Sequence, residues 1–228
     1  MITAIELVGL PGCGKSTLIK ECAPNPRRII RREALWTNAE ERVFLRCLLQ
    51  RPSLMHPVLY NYINTYPEAD GLFVRKLVEL HHKLTSPQSA LALLDEGLLS
   101  HITSIPFDRE IVVDDAFREM TSLAEGFTVL VFDCRCPIET AIERLRSRDR
   151  IGDNSRGRYY DENDEALKAK LRIKQQNIDT VLSFYNGRRV ELDMLQPLGT
   201  NASIIKRTVS ELFLELKGEL WLKSNFDK

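Results

Sequence analysis

Nine residues, Gly9-Leu10-Pro11-Gly12-Cys13-Gly14-Lys15-Ser16-Thr17, follow directly on the short run Ile5-Glu6-Leu7-Val8. They satisfy the pattern Gly, four residues, Gly-Lys-Ser/Thr, and the segment from Lys15 to Cys22 has the length of two helical turns. Strand, glycine loop and helix in this order restrict the fold more than any other stretch of the chain. Glycines let the backbone wrap a phosphate with successive N–H groups pointing inward, where a Cβ would obstruct it. The following helix adds the positive end of its dipole. Lys15 can then reach the β and γ phosphates of a nucleoside triphosphate, while the Ser16 hydroxyl can ligate Mg²⁺. Gly9, Pro11, Gly12, Cys13, Gly14, Lys15, Ser16 and Thr17 are therefore the candidate nucleotide-binding residues. At Cys13 the backbone N–H is the expected contributor and the thiol a small filler; a reactive thiolate near the helix N-terminus is the alternative.

The remaining chain alternates strand and helix signals. Arg28-Ile29-Ile30-Arg31 reads as a second strand after Pro24 and Pro26 close the first helix. From 37 to 88 apolar residues recur at spacings of three and four, giving helices broken at Pro52, Pro57, Pro67 and Pro87. Ala90-Leu91-Ala92-Leu93-Leu94 is a continuous apolar run, which periodicity leaves open between a buried strand and a buried helix. Thr128-Val129-Leu130-Val131-Phe132, richer in β-branched residues, predicts a strand ending at Asp133. An amphipathic helix follows Pro137. Residues 151–165 offer almost nothing to a core and read as an exposed lid. A helix from Ala166, a strand over GRRVELD and a last helix at 201–217 complete the pattern. The fold class that results is α/β, with a parallel sheet covered on both faces.

Composition supports one domain. A chain of 228 residues buries roughly 70–75% of its extended surface and needs no staple. Thirty-two Lys and Arg balance 32 Asp and Glu, which leaves no basic face of the kind a nucleic acid requires. No apolar stretch is long enough to span a bilayer, and the N-terminus reads as a strand, not a signal peptide. Five cysteines without zinc-type spacing read as reduced thiols of a cytoplasmic protein. His81, His82 and His101 read as surface or satisfied histidines.

Order and spacing over nearly the whole chain resemble the P-loop kinases of the nucleoside monophosphate kinase-like group, with thymidylate kinase and deoxynucleoside kinases as the most similar-looking members. The residues that carry this are GLPGCGKST at the start, a helical segment before LALLDEGLLS, VLVFD followed by PIETAIERLRSRDR, and VELDMLQP near the end. The resemblance implies a three-layer α/β/α P-loop fold over 1–228, a helical acceptor-binding insertion at about 36–88 and a lid at about 146–165. It implies an ATP- and Mg²⁺-dependent phosphotransferase acting on a small-molecule acceptor, a nucleoside or nucleoside monophosphate, with a homodimer left open.

Asp95 matches the group's acidic residue at the end of the third strand, where a carboxylate can hold Mg²⁺ through water or take a hydroxyl proton. Asp133 is a second candidate for the Mg²⁺-linked acid. Thymidylate kinases follow the acid with Arg and an aromatic residue; here Glu96-Gly97 stands instead, and Glu96 becomes a candidate base or acceptor ligand. Arg144 and Arg148 resemble the arginine pair at the start of the lid, and spacing four puts both on one helix face. Arg150, Arg156 and Arg158 lie further into the lid. Arg31-Arg32-Glu33 stands where members grip the acceptor's phosphate, or is a surface ion-pair cluster. Two other readings stay open: a regulatory P-loop NTPase, against whose GTPase form the missing Asn-Lys-x-Asp motif counts, and a kinase of a sugar, an antibiotic or a polynucleotide end.

Overall fold

The computed structural model describes residues 2–22, 55–69, 71–85, 90–106, 109–150 and 163–226. Four of the described segments, β1 (Ile2–Gly9), β2 (Ala90–Leu94), β3 (Thr128–Arg135) and β4 (Arg188–Asp193), form one parallel sheet in the order β2-β1-β3-β4. Residues 4–8 and 130–134 are buried without alternation. Side chains on both faces of β1 and β3 are thus out of water, so these central strands are covered on both sides, while β4 at the edge is largely exposed with Leu192 buried.

The helices explain how. α1 (Lys15–Cys22) packs on α8 (Leu198–Phe226). A second set consists of α2 (Pro57–Asn64), α3 (Gly71–Leu84), α4 (Leu98–Ile102), α5 (Asp115–Glu125) and α7 (Asp164–Phe184), joined by α2–α5, α3–α4, α4–α5 and α5–α7 contacts. α6 (Ile138–Arg150) packs on α7. The chain leaves β1 toward β2 on one side and reaches β3 on the other, so the C-terminal end of β1 is the topological switch point, where open α/β sheets bind ligands.

Several boundaries differ from the sequence expectation for physical reasons. The apolar run 90–94 is a strand, because it has β1 to pair with. β3 continues through Asp133 to Arg135, since its ladder with β4 extends to the pair Arg135 and Asp193. Pro57 opens α2 and does not break it; at the first helical position its missing N–H costs no hydrogen bond. The expected loop ends at Asn163, which caps α7: its side chain accepts the Ala166 N–H at 2.9 Å, and Asp164 and Glu165 occupy the first turn, where the helix dipole favours acids. The last helix runs over Leu198–Phe226, well beyond 201–217. α4 and α5 had no sequence assignment; α5 is capped by Asp114, whose carboxylate accepts the Phe117 N–H at 2.8 Å. The strand expected at 28–31, the cluster Arg31-Arg32-Glu33, residues 36–54 of the helical insertion, and residues 151–162 with Arg156 and Arg158 lie outside the described residues.

Candidate active site

The loop between β1 and α1 closes over its own glycines. Gly12 and Gly14 have φ values of +82° and +106°, a backbone conformation that L side chains rarely adopt. Gly12 is also crowded, since a Cβ there would lie 2.5 Å from the Ala141 carbonyl oxygen of α6. A Cβ at Gly9 would lie 2.5 Å from the Cys134 carbonyl oxygen of β3. The glycines thus answer two needs at once, the turn of the loop and the close approach of β3 and α6 behind it.

Within the loop Lys15 Nζ turns back to donate to the carbonyl oxygens of Gly9 at 2.7 Å and Leu10 at 2.9 Å, beside Cys13 Sγ at 3.7 Å. The Ser16 hydroxyl donates to Asp95 Oδ2 at 2.8 Å. This contact joins two segments 79 residues apart in the chain. It exists because β2 is the parallel neighbour of β1, so both strands release their chains at the same edge of the sheet. Ser16 and Asp95 present hard oxygen donors side by side, and a Mg²⁺ ion fits such a set when phosphate oxygens and waters complete its octahedron. Asp95 and Glu96 are both half-buried.

Asp133 is placed differently. It is buried inside β3, and Arg135 donates to its Oδ2 from Nε at 2.8 Å and Nη2 at 2.6 Å. Burial raises its pKa while the Arg135 guanidinium opposes the rise. The Ser16 hydroxyl meets Asp95 and not this residue.

Arg144 reaches the loop from α6. Its Nη1 donates to the Cys13 carbonyl at 2.8 Å and its Nη2 to the Met194 carbonyl at 3.1 Å, in the turn after β4. The guanidinium braces the phosphate loop from behind, a fork that the planar five-donor group makes possible. Arg148 and Arg150 lie in the last turn of α6, with side chains outside the described part of the structure. The described cysteines, Cys13, Cys22, Cys134 and Cys136, are free thiols.

Three residues not singled out by the sequence reading complete the site. Glu6, in the middle of β1, is fully buried; its carboxylate accepts the Thr128 hydroxyl at 2.6 Å and the Leu99 N–H at 3.1 Å. Burial pushes its pKa up to about 7, against the opposing pull of Thr128 and the N–H groups of Ser100, Leu98 and Leu99. Gly97 is the counterpart of Glu6, since a Cβ there would lie 2.0 Å from the Glu6 Cδ. Glycine at position 97 thus has a local cause: a side chain there would enter the space of the buried Glu6 carboxyl. Glu6 is visible in the sequence as the one charged residue in an apolar run. Lys174, on α7, is the third; its Nζ donates at 2.6 Å to both the Thr103 and the Ser104 hydroxyls. Nothing in the helical pattern of 164–184 marks it.

No protein-family model and no curated protein matches the chain. Solved structures do. Deoxyadenosine kinase from M. mycoides with dCMP and dCDP bound superposes with a TM-score of 0.53 at 14% identity, over 92% of this chain and 100% of that one. The same kinase with dATP bound gives 0.51 at 15% identity, over 91% and 100%. Shikimate kinase from Acinetobacter baumannii gives 0.48 at 18% identity, over 95% and 96%. The chain has the P-loop kinase fold. No helix among the described residues is long and apolar enough to cross a membrane.

Proposed function

We propose that this protein is an ATP- and Mg²⁺-dependent kinase that transfers the γ-phosphate to a nucleoside or nucleoside monophosphate. The observation that carries the reading is the 2.8 Å contact between Ser16 and Asp95, which joins the phosphate loop to the acid after β2 at the switch point of the sheet. The shared fold of deoxyadenosine kinase supports the nucleoside side of the reading. The thymidylate-kinase side rests on sequence spacing.

In this mechanism the loop N–H groups and Lys15 hold the β and γ phosphates, Lys15 exchanging its bonds to Gly9 and Leu10 for phosphate oxygens. Ser16 and Asp95 would hold Mg²⁺, which would supply positive charge against the phosphates. Asp95 or Glu96 takes the proton of an attacking hydroxyl, and the acceptor lies toward the insertion at 36–88. Arg144 keeps the loop in shape, and Arg148 serves as a lid cation over the transferring group. Closure of the lid excludes water, which would otherwise accept the phosphoryl group. A cytoplasmic setting with reduced thiols suits this chemistry.

The test follows ADP release with ATP and Mg²⁺ across nucleosides, nucleoside monophosphates and sugars. Release is expected to depend on a nucleoside or nucleotide acceptor and to vanish in Lys15→Ala with the fold retained. Turnover independent of every acceptor would replace this reading by the regulatory NTPase, and dependence on a sugar would move the acceptor class.

A further inference from the structure

We propose that Lys174 is a catalytic cation of the transfer step, standing between the donor phosphate at Lys15 and the acceptor oxygen at Glu96. The inference rests on the kinase reading above and adds to it a residue from a helix that the phosphate-loop motif does not contain.

The geometry fixes the ammonium group in place. Thr103 and Ser104 lie at the C-terminal end of α4, and each donates its own hydroxyl proton to the Ser100 carbonyl at 2.8 Å. With those protons committed, both hydroxyl oxygens turn lone pairs toward Lys174 Nζ, at 2.6 Å each. A lysine that serves only the fold is ordinarily matched by a carboxylate. Here two neutral oxygens hold the head group, and the carboxylate that acts on it, Glu96, lies in the acid loop. Thr103 is buried, so this support is rigid. α4 is five residues long, roughly 7 Å from end to end, and it starts directly after Glu96-Gly97. Its far end therefore stays close to the acid loop.

The electrostatics agree. The charged groups that act on Lys174 are Glu96, from the loop after β2, and Lys15, from the start of α1. Burial, with Lys15 adding to it, pushes the Lys174 pKa down to about 7, while Glu96 pulls the other way. Lys174 and Lys15 bring two cations to the loop of Asp95 and Glu96 from separate helices, and a phosphoryl group entering between them is stabilised by both. In the transfer, the acceptor oxygen forms its bond to the γ phosphorus as the bridging bond to ADP breaks, and that electron pair leaves on the β-phosphate oxygen. An acceptor hydroxyl gives its proton to Asp95 or Glu96. Lys174 donates a hydrogen bond to an equatorial oxygen of the group in flight and gives up no proton.

An anion at Lys174 must raise the pKa of the ammonium, so ligand binding at pH 8 draws a proton from solution. The experiment is titration calorimetry with magnesium and the β,γ-imido analogue of ATP at pH 8, in two buffers of different ionisation enthalpy. The expected result is uptake of close to one proton by the native protein and none by Lys174→Gln, with nucleotide affinity at pH 8 weaker by about tenfold or more, as linkage to that proton requires. In the acceptor-dependent assay Lys174→Gln is expected to lower kcat about 10²-fold, the scale of losing one transition-state donor, with partial rescue by Lys174→Arg. Ser104→Ala, which removes one of the two supports and keeps the lysine, is expected to lower kcat about tenfold and serves if Lys174→Gln does not fold. Binding without proton uptake, or uptake that persists in Lys174→Gln, overturns the assignment and leaves the kinase reading standing. Absence of any nucleotide binding removes both.

Discussion

Replacing Glu6 by glutamine is expected to stabilise the protein above neutral pH and to do little near pH 5. The carboxyl is fully buried, and its pKa rises from 4.5 to about 7 on folding. Between those two values the folded protein keeps a proton that the unfolded chain releases. Native stability therefore falls as pH rises from about 4.5 through about 7, and is level above. At 1.36 kcal/mol per pKa unit, the ionised carboxylate costs the fold about 3 kcal/mol at pH 8. Glutamine has the same shape and no charge. Its carbonyl can accept the Leu99 N–H, and its amide can donate to a Thr128 hydroxyl that has turned round, so both present contacts survive. Urea unfolding at pH 5 and pH 8 checks this, the difference between variant and native protein removing the titration of all other groups. The variant should gain more than ~2 kcal/mol relative to native between the two pH values, a midpoint shift of about 1 M for a chain of this size. An equal difference at both pH values, or a loss at pH 8, would refute the argument that a neutral carboxyl pins β1 to α4.

Two further outcomes follow from the loop. Gly12→Ala combines a left-handed φ with a Cβ placed 2.5 Å from a helix carbonyl, so it should lower stability by about 2 kcal/mol or more and abolish saturable ATP binding, as thermal unfolding with and without nucleotide would show. Arg144→Lys keeps the charge and loses the fork that joins the Cys13 and Met194 carbonyls; nucleotide affinity should fall about tenfold with the same acceptor preference, and unchanged affinity would show that the brace is not needed.

The loop after β1 is local in the chain, and its strand–loop–helix form was therefore legible. The spacing of Gly9, Gly12, Gly14, Lys15 and Ser16 encodes a loop whose geometry depends on its own residues, and the strand before it and helix after it lie where that loop requires. β3 and the helix after Pro137 were legible for the same reason, each carrying its own pattern. The run at 90–94 was not, because an apolar pentapeptide becomes a strand only if a partner edge lies beside it. Residue 133 reads as a strand-ending acid in one dimension and proves to be a buried one within β3, held by Arg135.

What the amino-acid order determined by itself is the glycine-rich loop between β1 and α1 and the alternation of strands and helices, since both arise from neighbours in sequence. Only the folded chain decided which acid meets Ser16, why glycine follows Glu96, what Arg144 braces and where Lys174 rests. Each of those depends on strands paired side by side or helices packed from distant segments, and the energy of burying Glu6 or fixing an ammonium on two hydroxyls exists only once those segments have come together.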